Sequence, residues 1–160
     1  MEVILPLFQQ IIDNNYTPRF TSLQDFLNDK QILHTLFHLR YKNVFCCLDR
    51  KNCQNRGSLP LTYAQWDLLY TENPNPGKHL CHCVYTANAV TTDVLDITLA
   101  SLILLNCCNI TRQIQTVIKK LRTFKNNYLS HNTKGRIREP EFNTLWTDLE
   151  TYVLQLDPSK

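Results

Sequence analysis

Cysteines and histidines gather in two short stretches, "CCLDRKNC" (46–53) and "HLCHC" (79–83), with 27 residues between Cys53 and Cys81. Zn(II) takes four thiolate or imidazole ligands in a tetrahedron, so two clusters that each give a pair would clamp the segment between them. The set predicted for one structural Zn(II) is Cys47, Cys53, Cys81 and Cys83, with Cys46, His79 and His82 as competitors. The intervals are not the CxxC pairs of strong zinc motifs, and several partly buried free thiols are the other reading of the same residues. His34 and His38 stand four apart on one helix face, a spacing that can bind metal. No third ligand lies near them in sequence, so they read as ordinary, partly exposed histidines. Cys107 and Cys108 close an apolar helix and read as core thiols.

A second stretch, "LRTFKNNYLSHNTKG" (121–135), combines a row of Lys and Arg with paired asparagines and His131. An imidazole near neutral pKa moves protons, and a cation beside it holds a phosphate. Residues 112–138 contain eight Lys or Arg and no acid, whereas 139–157 contain five acids and no base. Neighbouring helices of opposite charge attract, which explains part of this asymmetry. The remainder makes Lys119, Lys120, Arg122, Lys125, Lys134 and Arg136 a candidate nucleic-acid surface whose binding would weaken with salt. There is no Gly-rich phosphate loop between strand and helix, no GxSxG, no HExxH and no paired-carboxylate signature, so enzymes of those classes are unsupported.

The elements that position these residues read as helices. The length of 160 residues suits one domain with a proper core. A hydrophobic fraction of 43%, a charged fraction of 19% and only three glycines favour a helical globule over a disordered chain or a turn-rich sandwich. Residues 2–14 repeat Val3, Ile4, Leu7, Phe8, Ile11 and Ile12 at helical steps. A second helical stretch opens at Thr21 or Ser22 and carries Leu23, Phe26, Leu27, Ile32, Leu33, Leu36 and Phe37, with a break near 28–30. Residues 42–90 read as a loop-rich, Cys-rich insert around a single helix in "LTYAQWDLLY", where Thr62 and Gln65 form a capping box. Because its own apolar content is modest, this insert is expected to need a staple.

Three helices follow at 91–108, 111–131 and 140–156, the first nearly all apolar and therefore expected at the centre of the bundle. Trp66 and Trp146 read as core residues, and Phe142, Leu145, Trp146 and Leu149 as one stripe. The predicted fold is thus an all-α bundle, one domain over 1–160, with N-terminal helices in 1–41, the insert in 42–90 and a helical core in 91–156. Asp96, Thr98 and Ser101 interrupt the greasiest segment, so it reads as a buried helix and not a membrane span. The N-terminus lacks a positive n-region, and the expected location is intracellular and cytoplasmic, where seven cysteines stay reduced.

"NNYLSHN", a Gly-containing turn and "IREPEFNTLWTDLETYVLQL" together resemble the C-terminal half of HEPN domains, the higher eukaryote and prokaryote nucleotide-binding helical bundles. "CCLDRKNC", "PLTYAQWDLLY" and "DVLDITLASLILLNC" are similar to the subgroup named for the DAZ-interacting zinc-finger ubiquitin ligase, whose relatives are attached to animal innate-immune receptors. The resemblance covers residues 35–156. It implies a HEPN-like bundle that pairs as a symmetric homodimer. In HEPN ribonucleases an Arg followed after four to six residues by His cleaves RNA without a metal, the 2'-hydroxyl attacking the adjacent phosphorus. His131 matches that His, and the Arg position falls on Asn126, Lys125 or Phe124 according to the interval.

Only Lys125 is cationic among these, with Asn126 as the polar residue after it, and Lys lacks the bidentate fork of Arg. Arg122 is a guanidinium outside the family spacing. On a regular helix Asn127 shares a face with His131, whereas Lys125 is turned from it by roughly 120°. The expected function is therefore a non-catalytic interaction or dimerisation module of a larger signalling or innate-immune protein. A metal-independent ribonuclease and a non-cleaving RNA-binding module are the alternatives.

Overall fold

The computed structural model describes residues 4–42, 44, 59–74, 81–126 and 139–156. In chain order these form α1 (Ile4–Tyr16), α2 (Leu23–Asn28), α3 (Lys30–Arg40), α4 (Tyr63–Leu69) and β1 (Tyr70–Glu72). A 3-10 turn over His82–Val84, β2 (Tyr85–Ala87) and a second 3-10 turn over Thr92–Val94 come next, followed by α5 (Ile97–Cys107), α6 (Arg112–Phe124) and α7 (Glu139–Leu156). The protein is mostly helical, as expected, with one small sheet that the expectation did not include: β1 and β2 pair antiparallel, with Tyr70 opposite Ala87, Thr71 opposite Thr86 and Glu72 opposite Tyr85. Strands of three residues are too short to display a period of two, which is why the sequence pattern does not reveal them.

Side-chain caps set the helix boundaries. Ser22 accepts from the Asp25 N–H at the start of α2. Asp29 then both ends α2, its N–H donating to the Phe26 carbonyl, and opens α3, its carboxylate accepting from the Gln31 and Ile32 N–H groups. The break expected near 28–30 is this one residue. Thr62 and Gln65 complete the predicted capping box on α4. Asp96 accepts from the Leu99 N–H at 2.6 Å, so α5 begins at Ile97 and not at 91. The residues before it form the separate 3-10 turn.

α5 is the centre of the structure. Ile97, Leu99, Ala100, Leu102, Ile103 and Leu104 are all buried, so the helix is apolar on every side, as its composition requires. The buried Ser101 hydroxyl donates to the Thr98 carbonyl at 2.8 Å, which removes the cost of enclosing it. Packed against α5 are α1 through Phe8 and Ile12, α3 through Leu33, Leu36 and Phe37, and α6 through Val117, Ile118 and Leu121. α7 lies along α6, and its Tyr152 and Leu156 meet the edge of the core. The Asn15 amide donates to the Asn109 carbonyl and accepts from the Asn109 N–H, tying the end of α1 to the α5–α6 connection.

The described part of the insert contributes to this same core. Leu61, Trp66, Leu69, Tyr70 and Ala87 are buried in it. Trp66 lies 4.4 Å from Tyr70 and 5.0 Å from Tyr85, ring centre to ring centre, and 5.8 Å from Phe37 of α3. Arg40 adds a clamp: its guanidinium carbon sits 3.3 Å from the Tyr63 ring centre while Nη1 donates to the Leu61 carbonyl at 3.0 Å. Aromatic side chains bury large areas each, so a few of them replace many aliphatic contacts.

The sheet is also closed off by side chains. Asn28 accepts from the Ala87 N–H at 2.8 Å and Gln24 donates to the Ala87 carbonyl at 2.9 Å, so two amides of α2 occupy polar groups that a third strand would otherwise seek. The Tyr70 hydroxyl donates to the Leu27 carbonyl at 2.9 Å. Among the described residues no helix is long and apolar enough to cross a membrane.

Candidate functional site

Two groups of functional side chains stand apart in sequence and in structure. The first is built where α3 meets the 3-10 turn over His82–Val84. Helical spacing places His34 and His38 on one face of α3, their ring centres 4.7 Å apart and edge to face. The turn brings His82 to 5.2 Å from His34, again edge to face, and 6.3 Å from Phe37. A third imidazole thus packs against the pair that helical spacing places on one face. The third imidazole comes from the far end of the insert, a distance in sequence that no spacing rule spans.

His82 is only 2% exposed. Burial first, then the positive charge that His34, His38 and Lys30 would present, lowers its pKa to about 4, so it is neutral at physiological pH. On either side of it in the chain, Cys81 is buried and Cys83 exposed, with their sulfurs 3.0 Å apart. Of the predicted zinc ligands, the structure therefore brings Cys81 and Cys83 together. Cys46, Cys47, Cys53 and His79 lie outside the described residues. Among the described residues, no group of three His, Cys, Asp or Glu side chains is placed to hold a metal ion.

Cys107 and Cys108 pack at the edge of the core, half-buried, as their place at the end of an apolar helix implies. Burial pushes the Cys108 thiol up to about 12 and Cys107 well above the ordinary range, the neighbouring Cys108 adding to the second shift. Both thiols are protonated at neutral pH and are weak ligands and nucleophiles.

The second group lies on α6. Its apolar stripe faces the core, while Arg112, Lys119 and Lys120 are exposed and Arg122 is half-buried. Lys120 reaches α7, its Nζ 4.9 Å from the Tyr152 ring centre. After Phe124 the helix widens: Lys125 and Asn126 form a π-type turn in which the Lys125 N–H faces the Arg122 and Leu121 carbonyls. The rotation of roughly 120° expected between Lys125 and His131 runs through residues 127–131, which lie outside the described residues. Asn127, His131, Lys134 and Arg136 lie outside the described residues, as do the side chains of Phe142, Leu145, Trp146 and Leu149.

Sequence reasoning also missed a cavity of about 340 Å³ where α1, α2, α3 and the end of α5 converge, lined in part by Asn14, Arg19, Phe20, Asp29 and Asn109. Its residues come from three separate stretches of the chain, 14–20, 26–32 and 107–109, which no motif links in sequence.

No family model, curated protein or solved structure matches the chain. Its function has to be argued from these residues.

Proposed function

We propose that the chain is a non-catalytic, HEPN-like interaction and dimerisation module, one domain of a larger signalling or innate-immune protein. The observation that carries this reading is the construction of α6. Val117, Ile118 and Leu121 fix the helix to the core while Arg112, Lys119 and Lys120 face solvent, giving a rigid, positively charged outer surface suited to docking. The cation at the family's spacing, Lys125, is half-buried in the wide turn and has no guanidinium fork for a phosphoryl group. A structural Zn(II) on Cys47, Cys53, Cys81 and Cys83 belongs to the same reading, supported by the 3.0 Å approach of the Cys81 and Cys83 sulfurs, which puts both within reach of one ion.

One observation favours a metal-independent ribonuclease as the second reading: π-type turns inside helices recur at functional sites, and this one includes Asn126, the first residue of "NNYLSH". Incubation with single-stranded RNA in EDTA, run beside light scattering at matched concentrations, decides between the two. The module reading expects a dimer and intact RNA. EDTA-resistant cleavage that disappears in His131→Ala replaces it with the ribonuclease, and a monomer at high micromolar concentration removes the dimerisation role.

A further inference from the structure

The three stretches 14–20, 26–32 and 107–109 surround a cavity of about 340 Å³. We propose that this cavity binds a small zwitterion, an α-amino acid with an apolar side chain, whose carboxylate meets Arg19 and whose ammonium meets Asp29. The site shares no residue with α6 or with the Cys81 and Cys83 pair.

Charge is the first argument. Arg19 and Asp29 line the same space, one cation and one anion, and among the described residues no ion pair joins them. The Arg19 side chain is exposed, its guanidinium carbon 5.4 Å from the Phe20 ring centre, and the guanidinium donates to no acceptor among the described residues. Asp29 uses Oδ1 to accept from the Gln31 and Ile32 N–H groups at the start of α3, and its Oδ2 accepts from none of the described residues. A simple anion in this space meets the Asp29 carboxylate, and a simple cation meets the Arg19 guanidinium. A molecule with one charge of each sign satisfies both groups and is selected over either. The exposed side-chain amides of Asn14 and Asn109 add donors and acceptors for the same ligand.

Shape is the second argument. Small-molecule sites enclose about 300–1,000 Å³, and this cavity lies at the low end, with room for one amino acid of about the size of leucine. Phe20, Phe26 and Ile32 complete the lining, the two rings edge to face at 5.6 Å, and they offer apolar surface to an aliphatic side chain. Preorganisation is the third argument. The Arg19 and Phe20 N–H groups both donate to the Tyr16 carbonyl at 2.9 Å, which fixes the turn after α1. Asn15 holds the 107–109 wall through its bonds of 3.1 and 3.2 Å with the Asn109 backbone, and Asp29 is fixed as the shared cap of α2 and α3. The backbone beneath both charges is thus in place before a ligand arrives, which limits the ordering cost of binding.

The test titrates the full chain with L-leucine, followed by backbone amide NMR and calorimetry. Two further probes each lack one charge: 4-methylpentanoate has no ammonium and 3-methylbutylamine no carboxylate. We expect leucine to shift the amide resonances of Arg19, Phe20, Asp29 and Asn109 saturably. Each single-charge probe should bind more than about tenfold more weakly, because it forgoes one charge-assisted contact. Arg19→Gln and Asp29→Asn should each weaken leucine by a similar factor. Arg19 is exposed and Asn caps helices as well as Asp, so both variants keep the fold. In Asp29→Asn the preference for leucine over 4-methylpentanoate should vanish, a readout that a merely structural role would not move. The absence of saturable shifts at millimolar leucine, or saturation at resonances away from the cavity, overturns the site. Equal affinity of the parent protein for leucine and 4-methylpentanoate shows that Asp29 meets no ammonium and overturns the proposal without any variant.

Discussion

The α5 end of the core and the insert end are held by different means. Around α5 the burial is aliphatic and needs little direction: Leu99, Ile103 and Leu104 are enclosed by α1, α3 and α6, and one serine hydroxyl is satisfied within the helix itself. In the insert the burial is aromatic and directional. Trp66, Tyr70 and Tyr85 meet at defined ring angles, and Ala87 is fixed through amides borrowed from α2. A helix that is apolar all round can be buried by any neighbour, whereas an aromatic patch with polar handles must find particular partners. Both ends nevertheless share one continuous core, so the insert is a structural part of the domain and not an appendage.

The strongest way to break this comparison is to excavate each end. Ile103→Ala should lose about 2–5 kcal/mol and Trp66→Ala about 3–5 kcal/mol of unfolding free energy, read by urea denaturation. If Trp66→Ala costs under about 1 kcal/mol, the insert does not share the cooperative core. A smaller and more local effect tests the amide seal. Asn28→Ala leaves the Ala87 N–H without its acceptor and should cost about 1–3 kcal/mol, with faster hydrogen exchange at that amide. Unchanged exchange there would mean that water replaces the Asn28 side chain at no cost. The mildest probe perturbs no contact at all. Because burial raises both thiols, Cys107 and Cys108 hold less thiolate when folded, and alkylation at pH 8 should run at least about a hundredfold slower in the native protein than in the denatured chain. Equal rates would show that the end of α5 opens freely.

How much of this is legible in the sequence depends on the range of the interaction. Ser22, Thr62 and Gln65 reach backbone groups three residues away, and the caps they form can be read directly. The aliphatic period of α1 and α3 and the unbroken apolarity of α5 likewise declare which faces are buried. The two-stranded sheet was not legible, since its pairing joins Tyr70 to Ala87 across 16 intervening residues and its strands are too short for a pattern. The wide turn at Lys125 and Asn126 was hidden for a related reason: the same residues fit a regular helix equally well by composition.

The candidate site divides along the same line. The sequence by itself determined the i, i+4 pair His34 and His38, the thiols flanking His82 and the basic face of α6, because residue type and helical spacing are local properties. Only the tertiary structure decided that His82 joins His34 and that the insert closes over Phe37 through Trp66 and Tyr85. Contacts between segments some forty residues apart follow from how the whole core packs, and no local spacing encodes that packing.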